Sequence, residues 1–120
     1  MSFILYHHPR CSKSRQALKL LEASGQPFEI FEYLKKGLTL NEVKGICRRL
    51  NCHPSDIIRK KERDYISIKE TLVDASQSAW LQAIVDHPIL LERPIIIKGE
   101  NAVVGRPVAR VEAMLSGGLC

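Results

Sequence analysis

Two strand-like runs, Phe3-Ile4-Leu5-Tyr6 and Phe28-Glu29-Ile30-Phe31-Glu32-Tyr33, open the chain, and the segment between them most constrains the fold. Pro9 keeps the loop after the first run out of regular structure. From about Ser12, Ala17, Leu18 and Leu21 share one helical face, and Gly25 is a natural C-terminal stop. A strand, loop, helix, strand unit of this length closes with parallel strands and a right-handed crossover. Cys11 stands where the loop gives way to helix.

Residues 35–90 read as mainly helical. Lys35-Lys36-Gly37 predicts a turn, and Thr39-Leu40-Asn41-Glu42 fits a capping box ahead of the stripe Val43, Ile46, Cys47 and Leu50. Asn51 to Pro54 breaks that helix, and Ser55 or Asp56 is expected to cap a short turn leading to Arg59. Asp74 to Ser78 offers caps for a further helix carrying Trp80, Leu81, Ile84 and Val85, ended by Pro88. Trp80 is expected in its core, and a protonated His87 would suit the helix dipole. The chain then returns to strand. Ile95-Ile96-Ile97-Lys98, a turn at Gly99-Glu100-Asn101 and Ala102-Val103-Val104 form an antiparallel hairpin. Pro107 suits the first position of a last helix with Val108, Val111, Met114 and Leu115 inside, followed by a loose tail over residues 116–120. The order β-α-β, helical insertion, β-β-α predicts an α/β protein of thioredoxin-like, glutaredoxin-type plan. It would be a single domain over residues 1–120, with a helical subdomain inserted at about 35–90.

The chain carries 18 Lys and Arg against 13 Asp and Glu, a net charge of +5, which favours anionic partners. Arg48, Arg49, Arg59, Lys60, Lys61 and Arg63 gather in mid-chain and read as a solvated face, so nucleic acid is not expected as a partner. No apolar run approaches the ~20 residues that span a bilayer, and the N-terminus lacks the basic and cleavage regions of a signal peptide. A cytoplasmic protein without membrane contact is expected. Its four cysteines, Cys11, Cys47, Cys52 and Cys120, are then reduced thiols. Cys47 lies on an apolar stripe and is expected to be buried; Cys52 with His53 offers too few ligands for a metal. Cys120 falls in the tail, where adventitious oxidation is expected.

Cys11 has the setting of a reactive thiol. Free amides at a helix N-terminus and nearby cations stabilise thiolate. Arg10, Lys13, Arg15 and His7 lie within a few residues, and Ser12 to Arg15 make a poor wall for an apolar core. The same amides and charges seat an oxyanion.

The segment His7-His8-Pro9-Arg10-Cys11-Ser12-Lys13-Ser14-Arg15 resembles the active-site stretch of the glutaredoxin-type arsenate reductases, whose pattern of His, Cys and Arg at four-residue intervals falls here on His7, Cys11 and Arg15. Ile57-Ile58-Arg59-Lys60, His87 to Ile96 with Arg93-Pro94, and Gly105-Arg106-Pro107 resemble the three segments that carry that family's substrate arginines. His8 stands where the family often has Asn. The resemblance implies that Cys11 attacks arsenic and that Arg59, Arg93 and Arg106 bind arsenate or a similar oxyanion. It implies that His7 and Ser14 lower the thiol pKa and order the site, that Arg15 completes the motif, and that the Arg93-Pro94 bond is cis. It further implies glutathione as reductant, glutaredoxin as partner, no bound cofactor or metal, and a role in arsenic detoxification. A related glutathione-dependent thiol–disulfide oxidoreductase is the alternative. The chain also resembles, more distantly, redox-sensing regulators that bind RNA polymerase, but Ser14 occupies the position of their second cysteine.

Overall fold

The computed structural model describes residues 2–117, so Cys120 lies outside the described residues. The chain divides into two compact units, one built from residues 2–36 and 93–117 and the other from Gly37–Glu92.

The first unit is a four-stranded sheet with two flanking helices. Strand β1 (Phe3–Tyr6) leads through the loop into α1 (Ser12–Ser24), which ends on Gly25 at φ +71, and the chain returns as β2 (Phe28–Phe31). The hairpin β3 (Ile95–Lys98) and β4 (Asn101–Val104) follows, then α6 (Ala109–Leu115). The strand order is β2-β1-β3-β4; β1 and β2 are parallel, while β3 runs antiparallel to both β1 and β4. This is the thioredoxin-like plan. Leu5 lies opposite Ile96, and Ile96 opposite Val103, so all three share a face. With Phe3 they pack on Ala17 and Leu21 of α1 and on Val111 and Met114 of α6.

Two boundaries differ from the sequence reading. The second strand stops at Phe31 rather than Tyr33. The Lys35 and Lys36 amides both donate to the Glu32 carbonyl (3.1 and 3.0 Å), winding α2 (Tyr33–Lys36) where a simple turn is expected. Tyr33 is fully buried there, its ring 6.4 Å from that of Tyr6, so ring burial wins over continued strand alternation. The last helix starts at Ala109, not Pro107. Arg110 and Val111 first close a turn onto the carbonyls of Pro107 and Val108, and Val108 is only half-buried.

The second unit is helical. In α3 (Leu40–Leu50), Glu42 N–H donates to Thr39 Oγ1 (3.1 Å) and Thr39 N–H to Glu42 Oε1 (2.9 Å), which completes the capping box. Val43, Ile46 and Cys47 are buried along the stripe, and Leu50 is half-buried. A 3₁₀ turn follows at Pro54–Ile57, capped by His53 rather than by Ser55 or Asp56. His53 Nδ1 accepts from the Ser55 amide, and Asp56 answers by accepting from the His53 amide (both 3.1 Å). Proline at the first position of that turn leaves its predecessor as the capping residue. Then come α4 (Arg63–Ile68), a 3₁₀ turn at Lys69–Leu72, and α5 (Gln77–Asp86), capped by Ser76 and packed on α3. Trp80 is half-buried rather than in the core. Leu81 and Ile84 take the inward face of α5, while Trp80 lies beside Tyr65 and His53 at its margin (ring centroids 6.5 and 6.1 Å). His87 meets a carboxylate, with Nδ1 3.0 Å from Asp64 Oδ2. Among the described residues no helix is long and apolar enough to cross a membrane.

Candidate active site

The sheet register assembles the site. Tyr6 at the end of β1 lies opposite Ile95 at the start of β3, and Ile95 lies opposite Val104 at the end of β4. The loop leaving β1, the Arg93-Pro94 pair entering β3 and the Gly105-Arg106 pair leaving β4 therefore share one end of the sheet. Cys11, directly before α1, stands at that end.

Cys11 is partly buried, with its backbone extended (φ −90, ψ 122) and its amide bonded to the His8 carbonyl (3.0 Å). Arg106 Nη2 donates to Cys11 Sγ at 3.4 Å, and Arg106 Nε donates to the Arg93 carbonyl at 2.6 Å. One guanidinium thus holds both the sulfur and the backbone leading into β3. Arg93 is buried, and its side chain also hydrogen-bonds to the thiol. Burial pushes the Cys11 thiol up. The Ser14 amide, the Arg93 guanidinium, the Lys13 amide and the Arg106 charge outweigh that, and its pKa lies below the ordinary thiol value. Helix amides and two cations from the far end of the chain therefore converge on one sulfur.

The loop residues support this arrangement from beneath and beside. Ser14 is fully buried, contrary to the expectation of a polar, open segment over Ser12 to Arg15, because its hydroxyl is well partnered. Ser14 Oγ accepts the His8 amide (3.1 Å) and lies 2.6 Å from His7 Nδ1. His7 is itself buried. Burial lowers its pKa, Glu32 opposes this and Arg15 adds to it, so the net shift is toward the neutral ring. An imidazole protonated on Nε2 accepts the Ser14 hydroxyl at Nδ1. Arg15 is exposed and ties the loop by donating from Nη1 to the Pro9 carbonyl (3.0 Å). Arg10 is exposed.

Arg59 belongs to the helical unit. Ile58 bridges Leu91, which brings Arg59 beside Glu92. Arg59 donates from Nε to Glu62 (3.2 Å) and from Nη1 to Glu92 (3.0 Å). Burial works against its charge, but Glu62 and Glu92 prevail and raise its pKa.

The sequence profile described as the ArsC family matches residues 6–114. The chain belongs to the ArsC family. It is 40% identical to the arsenate reductase of Haemophilus influenzae over 96% of this chain and 100% of that one. It is 41% identical to an arsenate reductase of Neisseria meningitidis, covering 92% of this chain and 96% of the relative. The solved arsenate reductase from Vibrio cholerae superposes with a TM-score of 0.88 at 34% identity, over 93% of this chain and 96% of that one.

Within this ArsC chain, the Arg93-Pro94 bond is cis, and so is Arg106-Pro107. The sequence reading names Gly105 only as part of the Gly105-Arg106-Pro107 segment and gives it no role of its own. A Cβ there would stand 2.8 Å from Pro94 Cγ and 2.9 Å from Val111 Cγ2, and the Gly105 amide donates to the Pro94 carbonyl at 2.8 Å. The bare backbone lets the segment carrying Arg106 close on the proline that follows Arg93. The glycine directly before Arg106-Pro107 was the available signal.

Proposed function

We propose that this chain is an arsenate reductase in which Cys11 is the sole protein thiol taking part, with glutathione as reductant and glutaredoxin as partner. The observation that carries the reading is the convergence of Arg93, Arg106 and the Ser14 and Lys13 amides on Cys11 Sγ.

The chemistry requires such a site. A thiolate approaching an arsenate anion meets repulsion. Planar guanidinium forks neutralise the oxyanion and hold it in position, and they stabilise the oxygen that leaves. The Cys11 sulfur displaces one arsenate oxygen, which departs as water after protonation, and arsenic remains pentavalent. Two glutathione thiols then supply two electrons. The net reaction converts arsenate and two glutathiones into arsenite, one glutathione disulfide and one water. His7 and Ser14 position the loop so that the Ser14 amide points at the sulfur, and Arg15 braces the same loop. The resemblance adds Arg59 as a third oxyanion ligand. A reaction fed by the glutathione pool belongs in the cytoplasm.

The test is turnover of arsenate to arsenite with glutathione and glutaredoxin. Cys11→Ser is expected to abolish it, and arsenate is expected to protect Cys11 from iodoacetamide. Full turnover by Cys11→Ser would refute the proposal. So would strong reduction of mixed disulfides with no arsenate turnover. Arg59→Ala is expected to raise KM for arsenate, and an unchanged KM removes Arg59 from the site.

A further inference from the structure

Two thiols have no part in the reaction above. Cys47 lies in the last turn of α3 and Cys52 just beyond its end. The helix closes with paired bonds: the Cys52 amide donates to the Cys47 carbonyl (3.1 Å) and the Asn51 amide to the Arg48 carbonyl (3.2 Å). Asn51 supplies the left-handed residue at φ +53. In this motif the side chains at the two ends of the longer bond come together, commonly as an apolar contact. Here both are cysteines, and each thiol perturbs the ionisation of the other. Both line a cavity of about 260 Å³ shared with Lys44, Gln77 and Leu81. Cys47 is 4% exposed, whereas Cys52 is partly open.

The site discriminates among thiol ligands. Burial pushes the Cys47 thiol up to about 12 and raises Cys52 as well, so both sulfurs are protonated at neutral pH. A zinc-like ion would need both deprotonated and commonly takes four ligands. Among the described residues no group of three or more His, Cys, Asp or Glu is arranged to hold a metal ion. A trivalent arsenic hydroxide needs neither. It takes two sulfurs, keeps one hydroxyl and is neutral before and after.

We propose that Cys47 and Cys52 form a dithiol site for trivalent arsenic, the product class of the reaction assigned to Cys11. The choice of ligand rests on that reading, while the pairing of the thiols does not. Cys52, the more open sulfur, condenses first. Its S–H and one As–OH leave as water and an S–As bond forms. Cys47 then displaces a second hydroxyl, again as water, closing a ring across the end of α3. Arsenic stays trivalent throughout, and no electrons move.

The test uses the full chain with Cys11→Ser and Cys120→Ser, so that only this pair remains. Arsenite is the probe, and bound arsenic is read by mass spectrometry with alkylation of each cysteine. The expected result is one arsenic per chain, with both thiols protected by arsenite and neither protected by arsenate. Adding Cys52→Ser is expected to weaken arsenite binding by roughly a hundredfold or more, as loss of one of two linked contacts does. Failure of the reduced two-cysteine chain to bind arsenite would overturn the proposal. Equal affinity after Cys52→Ser would do the same. Should Cys52→Ser not fold, protection of both thiols in the two-cysteine chain decides alone. Because these proteins lack Cys11, their failure is separate from any failure of arsenate turnover in the native chain.

Discussion

Replacing Arg106 by leucine should raise the Cys11 pKa without dismantling the helix that faces it. Arg106 contributes one hydrogen bond to the sulfur, 3.4 Å long, and a nearby positive charge. Hydrogen bonds to charged groups are worth about 1.5–3 kcal/mol net. This one is long and the thiol partly solvated, so screening reduces the figure to about 1–2 kcal/mol. That corresponds to roughly 5–30-fold less thiolate at a pH below the titration midpoint. The remaining thiolate is intrinsically more nucleophilic, with a Brønsted slope of about 0.4–0.5. Alkylation at a pH below both midpoints should therefore slow only about 2–8-fold, while the midpoint of the pH–rate curve shows the whole effect. The assay is peptide-resolved iodoacetamide labelling of Cys11 across pH. Arg106→Lys is the informative companion. It keeps the charge but loses the fork that also holds the Arg93 carbonyl at 2.6 Å, so its midpoint should shift less than that of the leucine variant. An unchanged midpoint in Arg106→Leu would show that the helix amides and Arg93 alone ionise the thiol, and the two-arginine argument would fall.

Three further outcomes follow from the same geometry. Ser14→Ala leaves His7 and the His8 amide without their hydroxyl partner, and should cost about 1–3 kcal/mol in urea unfolding; because the backbone amide at position 14 remains, the Cys11 midpoint should move less than in Arg106→Leu. Gly105→Ala forces a Cβ to 2.8 Å from the Pro94 ring and should cost about 1–3 kcal/mol while impairing arsenate turnover; wild-type stability would remove Gly105 from the account. His7 has a folded-state pKa below its ordinary 6.5, so the unfolded chain binds more protons; its stabilising contribution is complete above pH 6.5 and declines as pH falls through the lower folded value. His7→Asn, which retains a polar atom near Ser14, should flatten that acid limb in denaturation measured across pH, and an unchanged limb would contradict the burial of a neutral ring.

What could be read from the sequence, and what could not, divides by the range of the interaction. The start of α1 at Ser12, its stop at Gly25, and the reciprocal Thr39–Glu42 cap are set by residues within one helical turn, and they stand where a local reading puts them. Tyr33, Trp80 and Pro107 depart from it because their placement is decided elsewhere. Tyr33 leaves the strand to bury its ring near Tyr6, Leu81 and Ile84 take the inward face of α5 while Trp80 lies beside Tyr65 and His53, and the stretch after Gly105 first closes a turn before α6 can begin. The site mixes both kinds. The amides of Lys13 and Ser14 face Cys11 as a local consequence of a helix starting there, and a single cysteine before a helix suffices to foresee them.

Arg93 and Arg106 reach the same sulfur by a longer route. They are 82 and 95 positions from Cys11 (93 − 11 and 106 − 11), and no local rule links them to it. The link is the parity of the sheet: β1 ends where β3 begins and β4 ends, so residues flanking those termini must share an edge. One antiparallel register therefore does the work of two positioning loops. Closeness then rests on small details, a glycine without a side chain at 105 and an Nε–carbonyl bond that turns Arg106 toward the thiol. A shift of one residue between β1 and β3 would reverse the faces of Ile95, Ile96 and Ile97 and would also carry Arg93 away from Cys11. The apolar register that builds the core and the cationic register that builds the site are thus a single structural choice, and a slip of the strands would lose both.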